Sequence, residues 1–478
     1  MATPTSTTPE STTQDITTPE SSAAPAAATT VLTHRPGRWV DGWNAEDTRF
    51  WESTGRAIAR RNLGWSIFAE FLGFIVWQLW SIVVVMLPAA GFTLSSGEQF
   101  WLISLPSLVG ATLRFPYTFA VARFGGRNWT IVSAALLLVP TVLLGFVVQN
   151  PETPFAALLL VAALGGFGGG NFASSMANIT YFFPQREKGW ALGLNAAGGN
   201  IGTSIAQLLV PVVVTLGAVG TLNIQLAGWM WVPLILVAIW GAWRYMDNLS
   251  TAKADFAGAA AALREPHLWL MALLYIGTFG SFIGFASVFP KLIADQFPAF
   301  STFQIGATSL TLAFLGALVG SVARPYGGRL ADRLGGARMT IAAFSLMIVA
   351  TLALILTLPL GSFWVFLGCF LLLFLATGVG NGATYRMIPS IFAARGAATA
   401  GEAHSIGTQR KAAAALGLIS AIGAYGGFLI PQVLNASQAA TGGYTAAFWG
   451  FIALYAALLT VTALVYAVPR ASLARHRI

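Results

Sequence analysis

Two arginines that interrupt apolar segments are the residues of this sequence best suited to bind an anion. Arg114 and Arg324 are each followed within two residues by a proline, Pro116 and Pro325. The planar guanidinium group matches oxygen-bearing anions, and proline loosens the helix around it. We therefore predict that the two arginines hold one small anion. The alternative is that each arginine pairs with a distant acid or extends to a membrane interface.

Glu70 and Arg386 are two further ionisable residues in apolar segments. An ionisable group inside a membrane span is costly and by default marks a functional site. Glu70 is either a proton carrier or a structural partner of a neighbouring segment, and we favour the structural role. Arg386 is near the end of its segment, which favours a side chain that extends to the interface.

Neither enzyme chemistry nor a metal site is predicted. The four histidines, His34, His267, His404 and His476, are scattered near segment ends or in the tails, without the spacing of metal ligands. The single cysteine, Cys369, lies in an apolar run, where we expect a small core residue. We therefore predict no metal and no other cofactor.

The elements that position these residues are predicted to be membrane helices. Of 478 residues, 56% are hydrophobic and only 9% are charged, whereas a soluble domain has about 25% charged residues. A helix of about 20 apolar residues crosses the hydrocarbon core, which predicts an all-α membrane protein with twelve transmembrane helices. The predicted spans are residues 63–88, 100–122, 129–149, 155–183, 190–216, 226–246, 267–293, 304–330, 338–360, 363–392, 412–434 and 444–468.

The charges of the connections orient these spans. Connections after spans two, four, six, eight and ten contain lysine or arginine, whereas 89–99, 150–154, 217–225 and 435–443 contain neither. Lys291, near the outer end of span seven, is the exception. By the positive-inside rule, both termini are predicted to be cytoplasmic. The basic residues of the connections are Arg123, Arg127, Arg186, Lys188, Lys253, Arg264, Arg333, Arg338, Arg395, Arg410 and Lys411.

An internal repeat divides the chain into two halves. Arg114 and Arg324 are separated by 210 residues, as are Gly168 and Gly378. Two six-helix halves are typical of transporters that hold substrate near the midplane, so we predict two pseudo-symmetric bundles. The predicted domains are a tail and basic lead-in at 1–60, a first bundle at 61–246, a cytoplasmic linker at 247–266, a second bundle at 267–470 and a tail at 471–478.

The N-terminal region is predicted to lie outside the membrane. Residues 1–30 are mainly Thr, Ser, Pro and Ala, a composition typical of disorder. Residues 34–62 combine arginines with tryptophans, which predicts a basic amphipathic segment on the inner membrane surface. The formal charge of +9 fits cytoplasmic loops, and no other feature indicates binding to nucleic acid.

Two glycine-rich regions contain the most specific pattern. Residues 165–184 contain Gly-Asn-Phe-Ala-Ser-Ser-Met-Ala-Asn-Ile and then Phe-Phe-Pro, Ala-Leu-Gly-Leu-Asn follows at 191–195, and the second region is 378–389. Glycine lets membrane helices approach closely, which suits sliding helices as well as static packing. These regions resemble the two nitrate signature motifs of the nitrate/nitrite porter family, within the major facilitator superfamily. The loop at 327–336 resembles the cytoplasmic signature of that superfamily.

The resemblance extends from about Trp51 to span twelve and looks closest to bacterial NarK-type carriers. It implies the major facilitator fold, a bacterial inner membrane location, and nitrate and nitrite as substrates; we also expect a monomer in the lipid bilayer. It implies that Arg114 and Arg324 grip the anion, that Phe172 and Phe279 pack against it, and that Asn200 and Tyr275 hydrogen-bond around it. The signature residues are Gly168, Gly170, Asn171, Gly198, Gly378, Gly380, Asn381 and Gly382. The second motif departs from its relatives at Asn381, Tyr385 and Arg386, and Glu70 is a further departure.

The predicted mechanism is alternating access. Two arginines across an empty cavity repel each other in a medium of low effective dielectric, and a bound monoanion lets the halves close. An empty carrier would return slowly, which favours exchange of nitrate for nitrite. Nitrate–proton symport through Glu70 is the alternative. Three other hypotheses are weaker. Large sensory domains would favour a nitrate receptor without transport, and acidic residues in the cavity would favour a sugar or drug facilitator; neither feature is found. A membrane enzyme is less favoured still, since no metal-ligand spacing is found.

Overall fold

The structure is a computed structural model that describes residues 32–216, 222–253, 256–306, 308–397 and 414–467. The predicted tails at 1–30 and 471–478 lie outside the described residues, as do Arg410, Lys411, His404 and His476.

Long helices dominate the described part of the chain. They are α1 (Arg56–Met86), α2 (Ser96–Phe124), α3 (Gly126–Val147), α4 (Phe155–Phe182), α5 (Gln185–Thr215), α6 (Leu226–Tyr245), α7 (Pro266–Gln296), α8 (Phe314–Leu334), α9 (Gly336–Thr357), α10 (Phe363–Ala397), α11 (Ala414–Thr441) and α12 (Thr445–Ala467). Three of them are interrupted: α6 by a turn after Trp229, α7 by the π-helical segment Ile276–Gly280, and α11 by a turn at Tyr425. Shorter helical segments are Thr48–Phe50, Trp51–Gly55, Pro88–Ala90, Phe256–Leu263, Pro298–Phe300 and Leu358–Leu360.

Ten of these helices, within the described residues, are long and apolar enough to cross a membrane. The other two long helices, α2 and α8, contain the buried Arg114 and Arg324. The chain is therefore a multi-pass membrane protein. The predicted spans overlap these helices, but α1 begins seven residues before the first predicted span and α11 ends seven residues after the eleventh. The eighth span differs most.

The predicted start of the eighth span is wrong. Residues 304–312 are predicted to be helical, but β4 (Phe303–Ile305) and β5 (Thr308–Leu310) form an antiparallel hairpin there. Gly306 at the turn has φ +60°, a left-handed conformation that glycine adopts without steric cost. The helix α8 begins ten residues later than predicted, at Phe314.

The basic N-terminal segment contains a second hairpin that the sequence pattern does not predict. β1 (Thr33–Arg35) pairs antiparallel with β2 (Trp39–Asp41), and β2 pairs parallel with β3 (Asn248–Leu249) after α6. Asp41 lies outside the helices, and hydrogen bonds from Ser250 and Arg35 lower the pKa of its carboxyl group. The segment is thus attached to the first half of the bundle through β3.

Repeat-related glycines let the helices of each half approach closely. A Cβ atom at Gly168 in α4 would lie 2.1 Å from the carbonyl oxygen of Gly73, and one at Gly378 in α10 would lie 2.3 Å from that of Gly320. Such contacts are possible only where a side chain is absent. Gly168 thus packs α4 against α1, whereas Gly378 packs α10 against α8.

Besides a smaller contact between α2 and α7, the two halves meet along three helix pairs: α1 with α7, α2 with α11, and α5 with α8. Hydrogen bonds cross the interface in the last two pairs. The Gln432 amide donates to the Ser104 hydroxyl at 2.7 Å, and the Ser204 hydroxyl donates to the Phe314 carbonyl oxygen at 3.0 Å. These pairs place Arg114 and Arg324 at the same interface.

Candidate anion site

Arg114 in α2 is fully buried and is held by neutral acceptors from two other helices. Its Nε donates to the Gly169 carbonyl oxygen of α4 at 3.0 Å. Its Nη1 donates to the carbonyl oxygen of Ser420 in α11 at 2.9 Å and to the Ser420 hydroxyl at 3.0 Å. Nη2 has no hydrogen-bond partner among the described residues. The guanidinium plane is therefore fixed while one of its donors is unused.

Arg324 in α8 is only 5% exposed and is held more loosely. Its Nη2 donates to the Tyr275 hydroxyl at 3.4 Å, and its Nη1 has no partner among the described residues. Neither Arg324 nor Arg114 forms an ion pair within the described part of the chain. The structure thus does not support the alternative in which each arginine pairs with a distant acid.

Phe172 of α4 and Phe279 of α7 connect the two arginines. Their rings are stacked across the interface, with centroids 6.1 Å apart and an interplanar angle of 25°. The Cζ of Arg114 lies 4.6 Å from the Phe172 centroid and 5.2 Å from the Phe279 centroid. The Cζ of Arg324 lies 5.7 Å and 6.0 Å from the same two centroids. Aromatic faces attract cations at such distances, so the predicted group of four side chains comes together at one site.

Two tyrosines border the site on the side of Arg324. Tyr275, a predicted site residue, stacks on Phe279 with centroids 5.2 Å apart. Tyr385 of α10 lies with its ring 5.4 Å from the Arg324 Cζ, and its buried hydroxyl has no partner within the described residues. From the sequence, Tyr385 is only a departure within the second motif and is not predicted to belong to the site.

Three buried asparagines have amide groups without hydrogen-bond partners in the described part of the chain: Asn200, Asn171 and Asn381. A buried polar group without a partner costs roughly 1–3 kcal/mol. An amide offers two N–H donors to an anion. The structure does not show a contact between Asn200 and either arginine, so its predicted role in hydrogen-bonding the ion stays a prediction.

Several of the predicted signature glycines lie where neighbouring residues approach too closely for a side chain. A Cβ at Gly382 would lie 2.1 Å from the Arg324 carbonyl oxygen, and one at Gly170 would lie 2.8 Å from the Tyr117 ring. A Cβ at Gly198 would lie 2.4 Å from the Ile67 side chain, and one at Gly380 would lie 2.9 Å from the Thr278 side chain. These glycines set the spacing of the helices that hold the site.

The glycines of α11 also pack around the site, although they are absent from the predicted residues. A Cβ atom at Gly423 would lie 2.3 Å from the Tyr275 ring of α7, and one at Gly426 would lie 2.4 Å from the Cα of Gly280 in the same helix. The sequence does contain a signal for them, because the Ala-Leu-Gly-Leu string at 191–194 returns at 415–418 with an offset of 224 residues. That offset carries Gly199 and Gly202 of α5 onto these two residues. Both α5 and α11 thus pack closely against the first helix of their half.

Glu70 of α1 is completely buried beside α5. Its Oε2 accepts a hydrogen bond from the Asn195 amide at 2.6 Å, and its Oε1 has no partner among the described residues. The Asn195 amide also donates to the Ser175 hydroxyl at 2.7 Å. Glu70 therefore contacts neither arginine directly. Its bond to Asn195 agrees with a structural role as the partner of a neighbouring helix, although its Oε1 has no partner among the described residues.

Arg386 lies outside the site. Its half-exposed side chain contacts Asp332 at the end of α8 and donates to the Ser390 hydroxyl at 3.0 Å. Arg386 is thus paired with an acid of α8, eleven residues before the end of α10.

Comparison with known proteins identifies this bundle. A family model described as Major Facilitator Superfamily matches residues 69–431. Two proteins named nitrate/nitrite transporter NarU are similar over 89% of this chain: that of Salmonella typhimurium is 44% identical over 96% of its own length, and that of Escherichia coli 42% over 95%. The chain belongs to the nitrate/nitrite porter family of the major facilitator superfamily.

More distant relatives agree with this assignment. A probable nitrate/nitrite antiporter, NarK2 of Thermus thermophilus, is 38% identical over 89% of this porter and 96% of its own length. The solved structure of the nucleoside transporter NupG is similar in fold, with a TM-score of 0.56, 12% identity, and coverage of 84% of this porter and 99% of that chain. The porter is therefore a membrane transporter, as the sequence predicted, and not an enzyme.

Proposed function

We propose that this porter carries nitrate and nitrite across a bacterial cytoplasmic membrane by alternating access, with the anion held between Arg114 and Arg324. One observation supports this proposal most strongly. Two buried arginines without ion pairs in the described chain lie within 6.0 Å of the same two stacked rings. The similar proteins are named nitrate/nitrite transporters and antiporters.

The unused donors define how the anion would bind. Arg114 Nη2 and Arg324 Nη1 are buried and without partners in the described residues. A planar monoanion between them would accept from both arginines while its faces pack against Phe172 and Phe279. Charge-assisted hydrogen bonds of this kind are about twice as strong as neutral ones. Because the donors come from different halves, the anion would link the two bundles.

The proposed topology completes this mechanism. Twelve membrane-crossing helices with both termini cytoplasmic would place the positively charged connections inside. In that arrangement α2 and α8 are the two crossing helices that contain arginine at the site. A monomer contains both arginines, so the site needs no second copy.

Exchange of nitrate for nitrite is the coupling that we favour. Two cations near each other in a medium of low dielectric repel when no anion lies between them. The loaded carrier would therefore reorient faster than the empty one. The name of the Thermus thermophilus relative includes the word antiporter, in agreement with this preference.

A specific observation keeps nitrate–proton symport as the second candidate. Glu70 is a buried carboxyl group with one oxygen that has no partner among the described residues. When protonated, this carboxyl group would itself become a hydrogen-bond donor. Symport would need such a group to gain and lose a proton in each cycle. A receptor that binds nitrate without transport is a third and less favoured possibility.

Proteoliposomes distinguish these functions. Vesicles are loaded with nitrite or left without anion, and nitrate uptake is measured with and without an acidic exterior. Uptake that requires internal nitrite and ignores the pH gradient would establish exchange. Uptake into empty vesicles driven by the acidic exterior would establish symport, in which case Glu70→Gln should abolish the dependence on the gradient. Binding without uptake in any vesicle would indicate a receptor.

A further inference from the structure

A buried lysine forms a polar contact between the two halves at some distance from the arginine site. Lys291 of α7 is 3% exposed. Its Nζ donates to the Gln99 Oε1 of α2 at 3.0 Å and lies 5.2 Å from the centroid of the Phe100 ring. The lysine belongs to the second half, and Gln99 and Phe100 belong to the first.

The Lys291 ammonium is also held by contacts within its own half. Asp295, one turn further along α7, lies 3.0 Å from the Lys291 ammonium. The Tyr444 hydroxyl, immediately before α12, donates to Asp295. These contacts hold the ammonium in place whether or not the first half is near it.

The acceptor is likewise positioned by the first half. The amide nitrogen of Gln99 donates to the Leu94 carbonyl oxygen at 3.1 Å, which leaves its Oε1 facing Lys291. The neighbouring Ser96 hydroxyl donates to the Gln438 Oε1 of α11 at 2.6 Å. This end of the bundle is therefore closed by polar contacts whose two sides are each preformed.

We propose that Lys291 and Gln99 form a gate that stabilises closure of this end of the porter. The inference rests on the proposed alternating access, because such a carrier must separate its halves at each end in turn. A bond between two preformed groups can break and form again without rebuilding either half. Once the halves separate, the ammonium and the amide gain water, so opening leaves no buried group without a partner.

The gate is tested by a distance measurement that does not depend on transport. Spin labels are attached to cysteines at the exposed Thr93 and Ala440, in a Cys369→Ser background, and the distance distribution is recorded in lipid nanodiscs. We expect Lys291→Met to raise the ratio of open to closed molecules roughly tenfold, since it removes a hydrogen bond to a charged group. Ser287→Ala is the matched control, because the Ser287 hydroxyl bonds within α7, to the Gly284 carbonyl oxygen at 2.7 Å, and to no other of the described residues.

The variant Gln99→Leu keeps the result interpretable if loss of Lys291 disturbs folding. It leaves the Lys291–Asp295 pair intact and removes the acceptor in the first half, together with the bond from Gln99 to the Leu94 carbonyl oxygen. We expect the same shift as for Lys291→Met, and the double variant should shift no further, since the two side chains act as one contact. A Gln99→Leu distribution that matches Ser287→Ala would overturn the gate. Failure to transport nitrate would instead overturn the proposed function, because the distances are measured without substrate.

Discussion

Arg114 of the first half donates from Nη1 to both the carbonyl oxygen and the hydroxyl of Ser420 in the second half, at 2.9 Å and 3.0 Å. A buried cation is thus bound across the interface by neutral acceptors. These bonds and the bond from Nε to Gly169 fix the guanidinium plane and leave Nη2 without a partner among the described residues. Ser420 is accordingly a positioning residue, which no pattern in the sequence indicates.

Loss of the Ser420 hydroxyl should weaken anion binding without abolishing it. In Ser420→Ala the carbonyl oxygen still accepts from Nη1, but one of the three bonds that orient the guanidinium is lost. A net hydrogen bond contributes about 0.5–1.5 kcal/mol, so we expect the nitrate Kd to rise roughly 3- to 10-fold. Isothermal titration of the purified porter measures this, and Ser420→Thr should restore affinity. An unchanged Kd in Ser420→Ala would show that the hydroxyl does not position Arg114.

Replacement of either arginine by lysine should be far more damaging. A lysine keeps the charge but has a single ammonium group, so it cannot replace the bonds of Arg114 to Gly169 and Ser420 and still present a donor to the anion. Truncation of one partner of a buried hydrogen-bonded charge pair costs roughly 2–5 kcal/mol. We therefore expect Arg114→Lys and Arg324→Lys each to weaken nitrate binding at least about 30-fold.

The exposed Arg123 supplies the control for this experiment, because it lies at the surface end of α2. Arg123→Gln should keep the Kd of the unmodified porter. If Arg114→Lys bound nitrate as tightly as this control, the anion site would have to lie elsewhere.

A methyl group at Gly382 should disturb the site through the backbone. A Cβ there would lie 2.1 Å from the carbonyl oxygen of Arg324, which is backbone and cannot move aside alone. Overpacking costs about 1–3 kcal/mol, so Gly382→Ala should lower the melting temperature in detergent and reduce nitrate uptake. Gly368→Ala in the same helix meets no atom within 4 Å and should be neutral or slightly stabilising, since alanine favours helices. Equal melting temperatures for the two variants would contradict this packing argument.

The sequence predicts the parts of the site that consist of charged residues inside apolar membrane spans. Arg114 and Arg324 stand out because charge is rare in an apolar span, and the 210-residue repeat relates them to each other. The predicted role of Phe172 and Phe279 comes only from the resemblance to a family, since buried aromatic residues are common in any core. All four side chains do meet at one interface in the folded chain.

Other parts of the site depend on contacts that composition and spacing do not encode. Ser420 accepts through its backbone carbonyl oxygen as well as its hydroxyl. Every residue type has a backbone carbonyl oxygen, so the sequence cannot indicate such an acceptor. Asn195 is one of several polar residues in α5, and only the fold shows that it contacts Glu70. The hairpin of β4 and β5 is predicted as helix because it directly precedes the apolar residues of α8, although Gly306 is a turn residue.

Asp247, just after α6, provides a test of how the N-terminal hairpin is attached. Its nearly buried carboxylate accepts from Arg38 at 2.7 Å, from Arg61 at 2.6 Å and from the Asn62 amide at 3.0 Å. Removal of one partner from a buried ion pair costs about 3–5 kcal/mol, because charge is left without compensation. The two arginines are partly exposed, so we expect a loss at the lower end of this range for Asp247→Asn.

Limited proteolysis and thermal melting together measure this loss. Asp247→Asn should lower the melting temperature and expose the chain to cleavage near Arg38, while nitrate binding to the intact fraction stays unchanged. Asp332→Asn is the matched control, because Asp332 and Arg386 form an ion pair that is half exposed, and such surface pairs contribute about 0–1 kcal/mol. If both variants melted at the temperature of the unmodified porter, the contacts of Asp247 would not contribute to stability, and the hairpin would be held by its β3 pairing and by its other hydrogen bonds to the bundle.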